Sequence, residues 1–252
     1  MKKFLKKSIP YLLFILILFL WNYVTENKIV PHYILPTLKS VVDVFKNDYN
    51  ILIFHLVVTV KEALMGLFFG ILIGYSIAVL MQRFDTLRRI LYPFVIFTQT
   101  VPTVALAPLF VLWFGYDTFP KVVLVAITTF YPIAVGVYEG FKSIDKDYFY
   151  LMDSMRATEF QKFLYLKMPM VAPSFFSSLK ISVSYSLIGA VIAEWLGGYN
   201  GLGVYMVRVK NSYEYDKMFA VIIVISIVSL IAMGLVNLLR KFIIKGDFYE
   251  KY

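Results

Sequence analysis

Cysteine is absent from the 252-residue sequence, which excludes disulfide bonds, thiolate metal ligands and a cysteine nucleophile. The only histidines, His32 and His55, are too isolated to indicate a metal site or a catalytic base. No G-x-x-x-x-G-K-[ST] pattern occurs, so the sequence has no P-loop for binding a nucleotide. Charge is also scarce, because Asp, Glu, Lys and Arg make up 16% of the residues, whereas soluble domains have about 25%.

Long uncharged segments are abundant, and 60% of the residues are hydrophobic. A helix needs about 20 mostly apolar residues to cross a bilayer core, and six segments meet this condition. We predict an all-α membrane protein with six transmembrane helices, a single transmembrane domain over residues 1–252, and one long loop at 141–172. The predicted spans are residues 8–25, 60–82, 90–114, 121–140, 174–196 and 217–239.

The distribution of Lys and Arg predicts the orientation. Four lysines precede the first run, as in a signal peptide, but no small-x-small cleavage site follows, so we interpret the run as a retained anchor. With the N-terminus inside, inner segments hold 16 Lys and Arg residues and outer segments hold eight. Because positive residues concentrate on the cytoplasmic side, both termini and the 141–172 loop are predicted to be cytoplasmic. The net charge of +9 is then explained by basic loops and not by nucleic-acid binding.

Small residues recur at a spacing of four in the second span, at Gly66, Gly70 and Gly74. This spacing forms one helix stripe and predicts close packing of another helix, although glycine is also common in membrane helices generally. Lys61 and Glu62, at the head of the same span, are interpreted as residues that reach towards the membrane interface.

The third span contains TQTVPTVALAP, in which Pro102 and Pro108 should kink or open the helix. Broken backbone at membrane depth is tolerated where it is buried in protein or lines a water-filled cavity. Gln99, Thr100, Pro102 and Thr103 are therefore candidates for a transport pathway, and an ordinary proline kink is the alternative.

The fifth span ends in AEWLGGYNGLGVYM, where Glu194 precedes four glycines within seven residues. Glycine supplies backbone angles closed to other residues, so a re-entrant or tightly turned outer loop is predicted. A carboxylate near a span faces protein, water or a partner charge. Glu194 either braces this loop or lines a pathway.

The predicted cytoplasmic loop contains LMDSMRATEFQKFLYLKMP, a charged segment between two apolar regions. It predicts two short helices, one at about 147–155 and one from Thr158 to just before Pro169. Thr158 and Gln161 match a capping box. Such a helix–turn–helix, apolar on one side and charged on the other, suits docking on a partner protein.

This segment resembles the EAA loop of ATP-binding-cassette (ABC) importer permeases, whose pattern is EAA, three residues, glycine, nine residues and Ile-x-Leu-Pro. Aligned on LKMP at 166–169, the triplet falls on residues 150–152 and the glycine position on Arg156. Both positions differ from the pattern. A left-handed arginine costs about 1–2 kcal/mol, so the turn is either strained or reshaped.

Further segments resemble the nitrate/sulfonate/taurine-type permease family in order and spacing, over roughly residues 35–240. They are HLVVTVKEALMGLFFGILIGYSIAV, LRRILYPFVIFTQTVPTVALAPLFVLWFG and SSLKISVSYSLIGAVIAEWLGGYNGLGVYM. The last is similar to members that handle pyrimidine precursors of thiamine. The resemblance implies the type I ABC importer permease fold in the bacterial inner membrane. The implied cargo is such a precursor, with sulfonate, taurine or nitrate as alternatives.

The resemblance also implies partners: a second, identical permease subunit, two copies of an ABC ATPase and an extracytoplasmic substrate-binding protein. ATP would be used by the ATPase, so we expect this chain to bind no cofactor or metal and to have no catalytic residues. The implied ATPase-coupling residues are Met152, Asp153, Ser154, Met155, Arg156, Ala157, Thr158, Glu159 and Phe160.

Two other classes of protein make different demands on the spans. A membrane-embedded enzyme needs paired acids, a histidine cluster or a Ser–His arrangement, and the charge-poor runs offer none. An ion-coupled secondary transporter or a channel would have ionisable residues in the middle of its spans, or inverted repeats of its hydrophobic segments. Neither feature is clear in the sequence.

Overall fold

The computed structural model describes residues 2–244, and all regular secondary structure within that range is helical, which confirms the all-α class. Most of the basic tail predicted after the last span lies outside the described residues. The helices are α1 (Lys2–Glu26), α2 (Leu38–Asn47), α3 (Tyr49–Arg83), α4 (Asp85–Thr100), α5 (Thr103–Phe114), α6 (Thr118–Lys142), α7 (Lys146–Ser154), α8 (Glu159–Lys162), a π turn (Phe163–Lys167), α9 (Met168–Leu196), α10 (Leu202–Asn211) and α11 (Tyr215–Ile243).

Within the described residues, four helical runs are long and apolar enough to cross a membrane. They are α3, α6, the run from α8 through α9, and α11. Together α4 and α5 form a fifth candidate, bent by 96°. The first predicted span, residues 8–25, corresponds to α1, whose apolar part, Leu12–Glu26, is shorter than the others.

The third predicted span consists of two helices because the backbone breaks between Thr100 and Thr103. Pro102 is the N-cap of α5, a position where its missing N–H removes no helix bond. The expected opening therefore occurs at Pro102, whereas Pro108 lies inside α5 without ending it.

The core consists of α6 packed between α3 and α9. A β-carbon on Gly66, Gly70 or Gly74 would collide with α6, so the small-residue stripe of α3 lies against that helix. On the other side, the Ser182 hydroxyl of α9 donates to the Thr129 carbonyl of α6 at 2.9 Å. Close approach through small residues and interhelical hydrogen bonds holds apolar helices together where lipid is the surrounding solvent.

The start of α9 differs from the sequence prediction. A loop reaching residue 172 and a short helix ending before Pro169 were predicted, but one helical run continues from Glu159 to Leu196. Its π turn is closed by the Met168 N–H, which donates to the Phe163 carbonyl. The wider π turn changes the pattern of backbone hydrogen bonds at this point of the run. Pro169 falls in the first turn of α9, where the lack of a backbone N–H is tolerated.

A second apolar cluster joins α2, α10 and α11, and includes buried Val41, Leu202 and Val221. Helix α2 begins just after Pro36, and its N-cap Thr37 accepts a backbone N–H from the first turn at 3.1 Å. This cluster positions α10 beside the end of α9.

Candidate functional site

Polar side chains concentrate at two opposite ends of the bundle, which α9 connects. Its 29 residues rise about 1.5 Å each, so the two ends lie about 43 Å apart. At one end is the elbow, which we define as Lys146–Lys162 and which contains the predicted coupling residues. At the other end is the glycine loop, residues 197–203, beside Glu194.

Each helix of the elbow carries its own cap. At the start of α7 the Asp145 carboxylate accepts the Asp147 N–H at 3.0 Å. At the start of α8 the predicted capping box is confirmed: the Thr158 N–H donates to Gln161 Oε1 at 2.8 Å, and the Gln161 N–H donates to Thr158 Oγ1 at 3.3 Å. These caps satisfy amides that short helices otherwise leave free.

The turn between α7 and α8 holds Arg156, which stands at the glycine position of the aligned pattern, in the left-handed region of the backbone. Arg156 has φ +54°. Its N–H donates to the Asp153 carbonyl, and the Ala157 N–H donates to the Met152 carbonyl, both at 2.9 Å. This pair of bonds is a Schellman motif, in which the left-handed residue is usually glycine. The turn is therefore strained and not reshaped.

Opposite charges tie the two elbow helices together. Lys162 Nζ lies 2.5 Å from an Asp153 oxygen and 2.7 Å from a Glu159 oxygen. Arg83, the last residue of α3, lies 3.7 Å from the same glutamate. The network fixes α8 relative to α7 and links the elbow to the second span.

The elbow presents two apolar faces. Phe149, Met152 and Phe163 pack against the main core cluster. Met155 and Phe160 face outward, with exposed fractions of 71% and 72%. Met152, a predicted coupling residue, thus contributes to the attachment of the elbow, and the exposed apolar face is formed by the other two.

At the opposite end, Glu194 is only 2% exposed and is held by hydrogen bonds. One carboxylate oxygen accepts from the Thr59 hydroxyl at 2.7 Å, and the other accepts from the Gly203 N–H at 2.6 Å. The Leu202 N–H donates to Thr59 Oγ1 at 2.8 Å, and the Gly201 N–H donates to His55 Nδ1 at 3.0 Å. Three successive amides at the start of α10 are thus capped by side chains of α3 and α9.

The glycines of the loop allow its backbone to approach these polar groups. Gly201 has φ +123°, and a β-carbon there would collide with the Glu194 carboxylate. Gly198 has φ +143°, and a β-carbon there would lie 2.6 Å from Lys121 Nζ. The predicted tight turn is confirmed, and Glu194 braces it. The alternative role of Glu194 in a pathway stays a prediction.

A second buried pair lies nearby and was missed by the sequence analysis. Lys121 Nζ is 2.8 Å from Glu62 Oε1, with side-chain exposures of 5% and 2%. The interpretation of Glu62 as an interface-seeking residue was wrong, because its position on α3 faces α6 and not the membrane surface. A signal was available in the sequence: Glu62 directly precedes the uncharged run 63–82, and Lys121 directly precedes the uncharged run 122–138.

The pathway candidates of the third span lie elsewhere. Gln99, Thr100 and Pro102 are exposed at the α4–α5 break. None of them lines the cavity that Glu194 borders, a space of about 430 Å³ beside the glycine loop. In the described structure the candidates at the α4–α5 break therefore do not share a cavity with Glu194. The role of both groups in transport stays a prediction.

Apolar spans packed through small residues, with a capped elbow at one end and a braced loop at the other, are the features of a multi-pass helical membrane protein. The chain belongs to the family of binding-protein-dependent transport system inner membrane components, whose model matches residues 66–245. It is a permease subunit of an ABC importer and resides in the inner membrane.

Relatives and solved structures agree with this assignment. The chain is 32% identical to the formylaminopyrimidine transport permease protein ThiX of Halalkalibacterium halodurans, over 97% of this chain and 98% of the relative. It is 27% identical to a putative aliphatic sulfonates transport permease protein of Bacillus subtilis, over 91% and 84%. The inward-facing MetNI methionine ABC transporter matches with a TM-score of 0.68 at 17% identity, over 76% of this chain and 95% of that chain, which confirms the fold.

Proposed function

We propose that this chain forms the translocation pathway for a pyrimidine precursor of thiamine, and that its elbow docks on a separate ATPase. The observation that carries the coupling role is the two-sided elbow. One apolar face joins it to the core, while Met155 and Phe160 expose a second apolar face with no described partner. Exposed apolar groups rimmed by charge are typical of a protein interface.

The elbow is also stiff enough to transmit a force. Two caps, a Schellman turn and the contacts of Lys162 fix its helices relative to each other. Arg83 and the packed face around Phe149 join it to α3 and the core. A partner that grips the exposed face therefore moves the spans and not only a loop.

This role assigns sides to the two ends. The excess of Lys and Arg supports a cytoplasmic position for the elbow and both termini, where an ATPase has access to ATP. The glycine loop and α10 then lie on the outer side, about 43 Å away, where a binding protein delivers the cargo. Two ATPase copies and a second, identical permease chain complete the complex, and the nucleotide binds to the ATPase.

The proposed cargo is supported by the 32% identity to the formylaminopyrimidine permease, which extends over nearly the full length of both chains. The second candidate is a sulfonate, taurine or nitrate, supported by the 27% identity to the sulfonate permease. Both candidates use the same coupling machinery and differ in what the outer end must accept.

Copurification and uptake test this proposal. Epitope-tagged chain in mild detergent should bring down its ATPase, and vesicles containing the full complex should take up formylaminopyrimidine in an ATP-dependent manner. The double variant Met155→Asp, Phe160→Asp should insert normally but lose ATPase capture and uptake. Tyr213→Asp, an exposed residue at the opposite end, is the matched control for ATPase capture. Failure of the wild-type chain to bind an ATPase, or capture by the double variant at the wild-type level, contradicts the coupling role.

A further inference from the structure

We propose that the cavity beside the glycine loop is a binding site for a neutral, planar, amino-substituted heteroaromatic ring, and that stacking on the ring, not charge, sets its selectivity. This inference rests on the proposed import of a pyrimidine and extends it by naming a binding site on the permease itself. The cavity has a volume of about 430 Å³, within the range of about 300–1,000 Å³ typical of small-molecule sites.

Three aromatic side chains line the cavity: Tyr116, Trp195 and Tyr199. Their exposed fractions are 59%, 46% and 75%, so ring surface is available to a ligand. Within the described chain none of the three makes a ring contact or a side-chain hydrogen bond. A planar heteroaromatic ring can stack on such faces, whereas an anion gains little from them.

The polar groups of the cavity offer both donors and acceptors. Arg208 lines one side, is exposed, and forms no ion pair with a described residue, so its guanidinium can donate to ring nitrogens or a carbonyl. The C-terminal end of α9 forms another wall through Leu196 and Gly197, and the Gly197 N–H makes no bond back into that helix. Helix C-termini carry free carbonyls and partial negative charge, which suit amino-group donors.

Apart from Arg208, the groups near the cavity that would attract an anion are already engaged. The N-terminus of α10 borders the cavity, and such a terminus is an anion site when its amides are free. Here the amides of Gly201, Leu202 and Gly203 donate to His55, Thr59 and Glu194. The Lys121 ammonium is paired with Glu62.

A formylamino-substituted pyrimidine matches this set of groups, because it has a flat ring, N–H donors and acceptor atoms. Taurine, a sulfonate and nitrate can reach Arg208, but they have no ring to stack on the three aromatic side chains. The geometry thus favours the pyrimidine among the cargoes named by the relatives.

Tryptophan fluorescence tests the site independently of transport. The chain has three tryptophans, so the variant Trp21→Phe, Trp113→Phe leaves Trp195 as the reporter in the full complex in nanodiscs. Formylaminopyrimidine should change this fluorescence in a saturable manner, while taurine and methanesulfonate should not. The matched reporter Trp113→Phe, Trp195→Phe, which retains Trp21 beside Phe219 and outside the cavity, should stay silent.

Two further substitutions locate the site. Tyr199→Ala and Arg208→Ala should each weaken the titration about tenfold or more, and Tyr213→Ala and Lys210→Ala, exposed residues that do not line the cavity, should not. A silent Trp195 reporter combined with intact pyrimidine uptake overturns the site and leaves the proposed function standing. Saturable binding of taurine, or equal signals from Trp195 and Trp21, also overturns it. Absence of pyrimidine uptake by the wild-type complex contradicts the proposed function itself.

Discussion

The elbow and the glycine loop are both short, capped segments at the ends of α9, yet they are held in opposite ways. Elbow contacts join residues close in sequence, such as Thr158 with Gln161, and most of them are exposed. Glycine-loop contacts join residues far apart, such as Thr59 with Glu194 across 135 positions, and they are buried.

The difference separates two tasks. A segment that must engage another protein keeps an apolar face free and depends on local bonds that survive exposure to water. A segment that must keep one shape within the bundle buries its charges and requires every partner to be present, because an unpaired buried charge is expensive. Substitutions should therefore be costly at the glycine loop and mild for stability at the elbow.

Lys121→Ala should have the largest effect. It leaves the buried Glu62 without its counter-charge, and we expect a loss of about 3–5 kcal/mol in the free energy of unfolding. Thermal or denaturant unfolding of the purified chain in detergent measures this loss. Lys61→Ala, on the exposed side of α3, is the matched control and should leave stability unchanged. If the two variants were equally stable, the buried pair of Glu62 and Lys121 would not explain a difference in stability between the glycine-loop end and the elbow.

Gly203→Ala should follow. The new β-carbon would collide with the Val191 carbonyl and lie 2.8 Å from the Glu194 Cβ. Overpacking of this kind costs about 1–3 kcal/mol, and the same unfolding assay detects it. Gly234→Ala is the control, since no atom lies within 4 Å of its added β-carbon and alanine favours a helix. If both variants lose stability equally, the close approach at the glycine loop is not the reason.

At the elbow, Arg156→Gly should increase local stability by about 1 kcal/mol, because glycine removes the steric penalty of the left-handed conformation. Hydrogen exchange at the Ala157 amide, which closes the turn, reports this change. Arg156→Ala removes the same charge but keeps the penalty, so it should show no gain. A gain with alanine would mean that the arginine side chain, and not the backbone angle, destabilises the turn.

Lys162→Ala should have the smallest effect on stability, because its acidic partners are more than half exposed to solvent. Hydrogen exchange in α8 measures it, and added salt should diminish the difference from wild type. If Lys162 stabilises the elbow through Asp153, then Asp153→Ala made in the Lys162→Ala background should cause little further loss of stability. A strongly additive loss would mean that the two residues stabilise the elbow independently.

Local features of the sequence were sufficient to predict the elbow. The Thr158–Gln161 box is a short-range pattern, and its hydrogen bonds follow from positions three residues apart. Uncharged runs likewise predicted the apolar helices, since hydrophobic length is a property of each segment alone. The break at Pro102 also followed from the chemistry of one residue.

The remaining features depend on how distant helices face one another, which no single segment encodes. Glu62 pairs with Lys121 only because α3 and α6 pack in one particular register. The caps of α10 come from His55 and Thr59, more than a hundred positions earlier in the chain. The continuation through Pro169 required a π turn, which the alignment with a loop pattern did not reveal.

The unbroken helical run from Glu159 to Leu196 has a mechanical consequence. Its 38 residues give a stiff lever about 57 Å long, anchored by α6 near its middle. Pivoting this lever by about 5° about its middle displaces each end by about 2.5 Å, in opposite directions. A tilt imposed at the elbow end is thus reproduced at the glycine-loop end, in the opposite direction and without loss of amplitude.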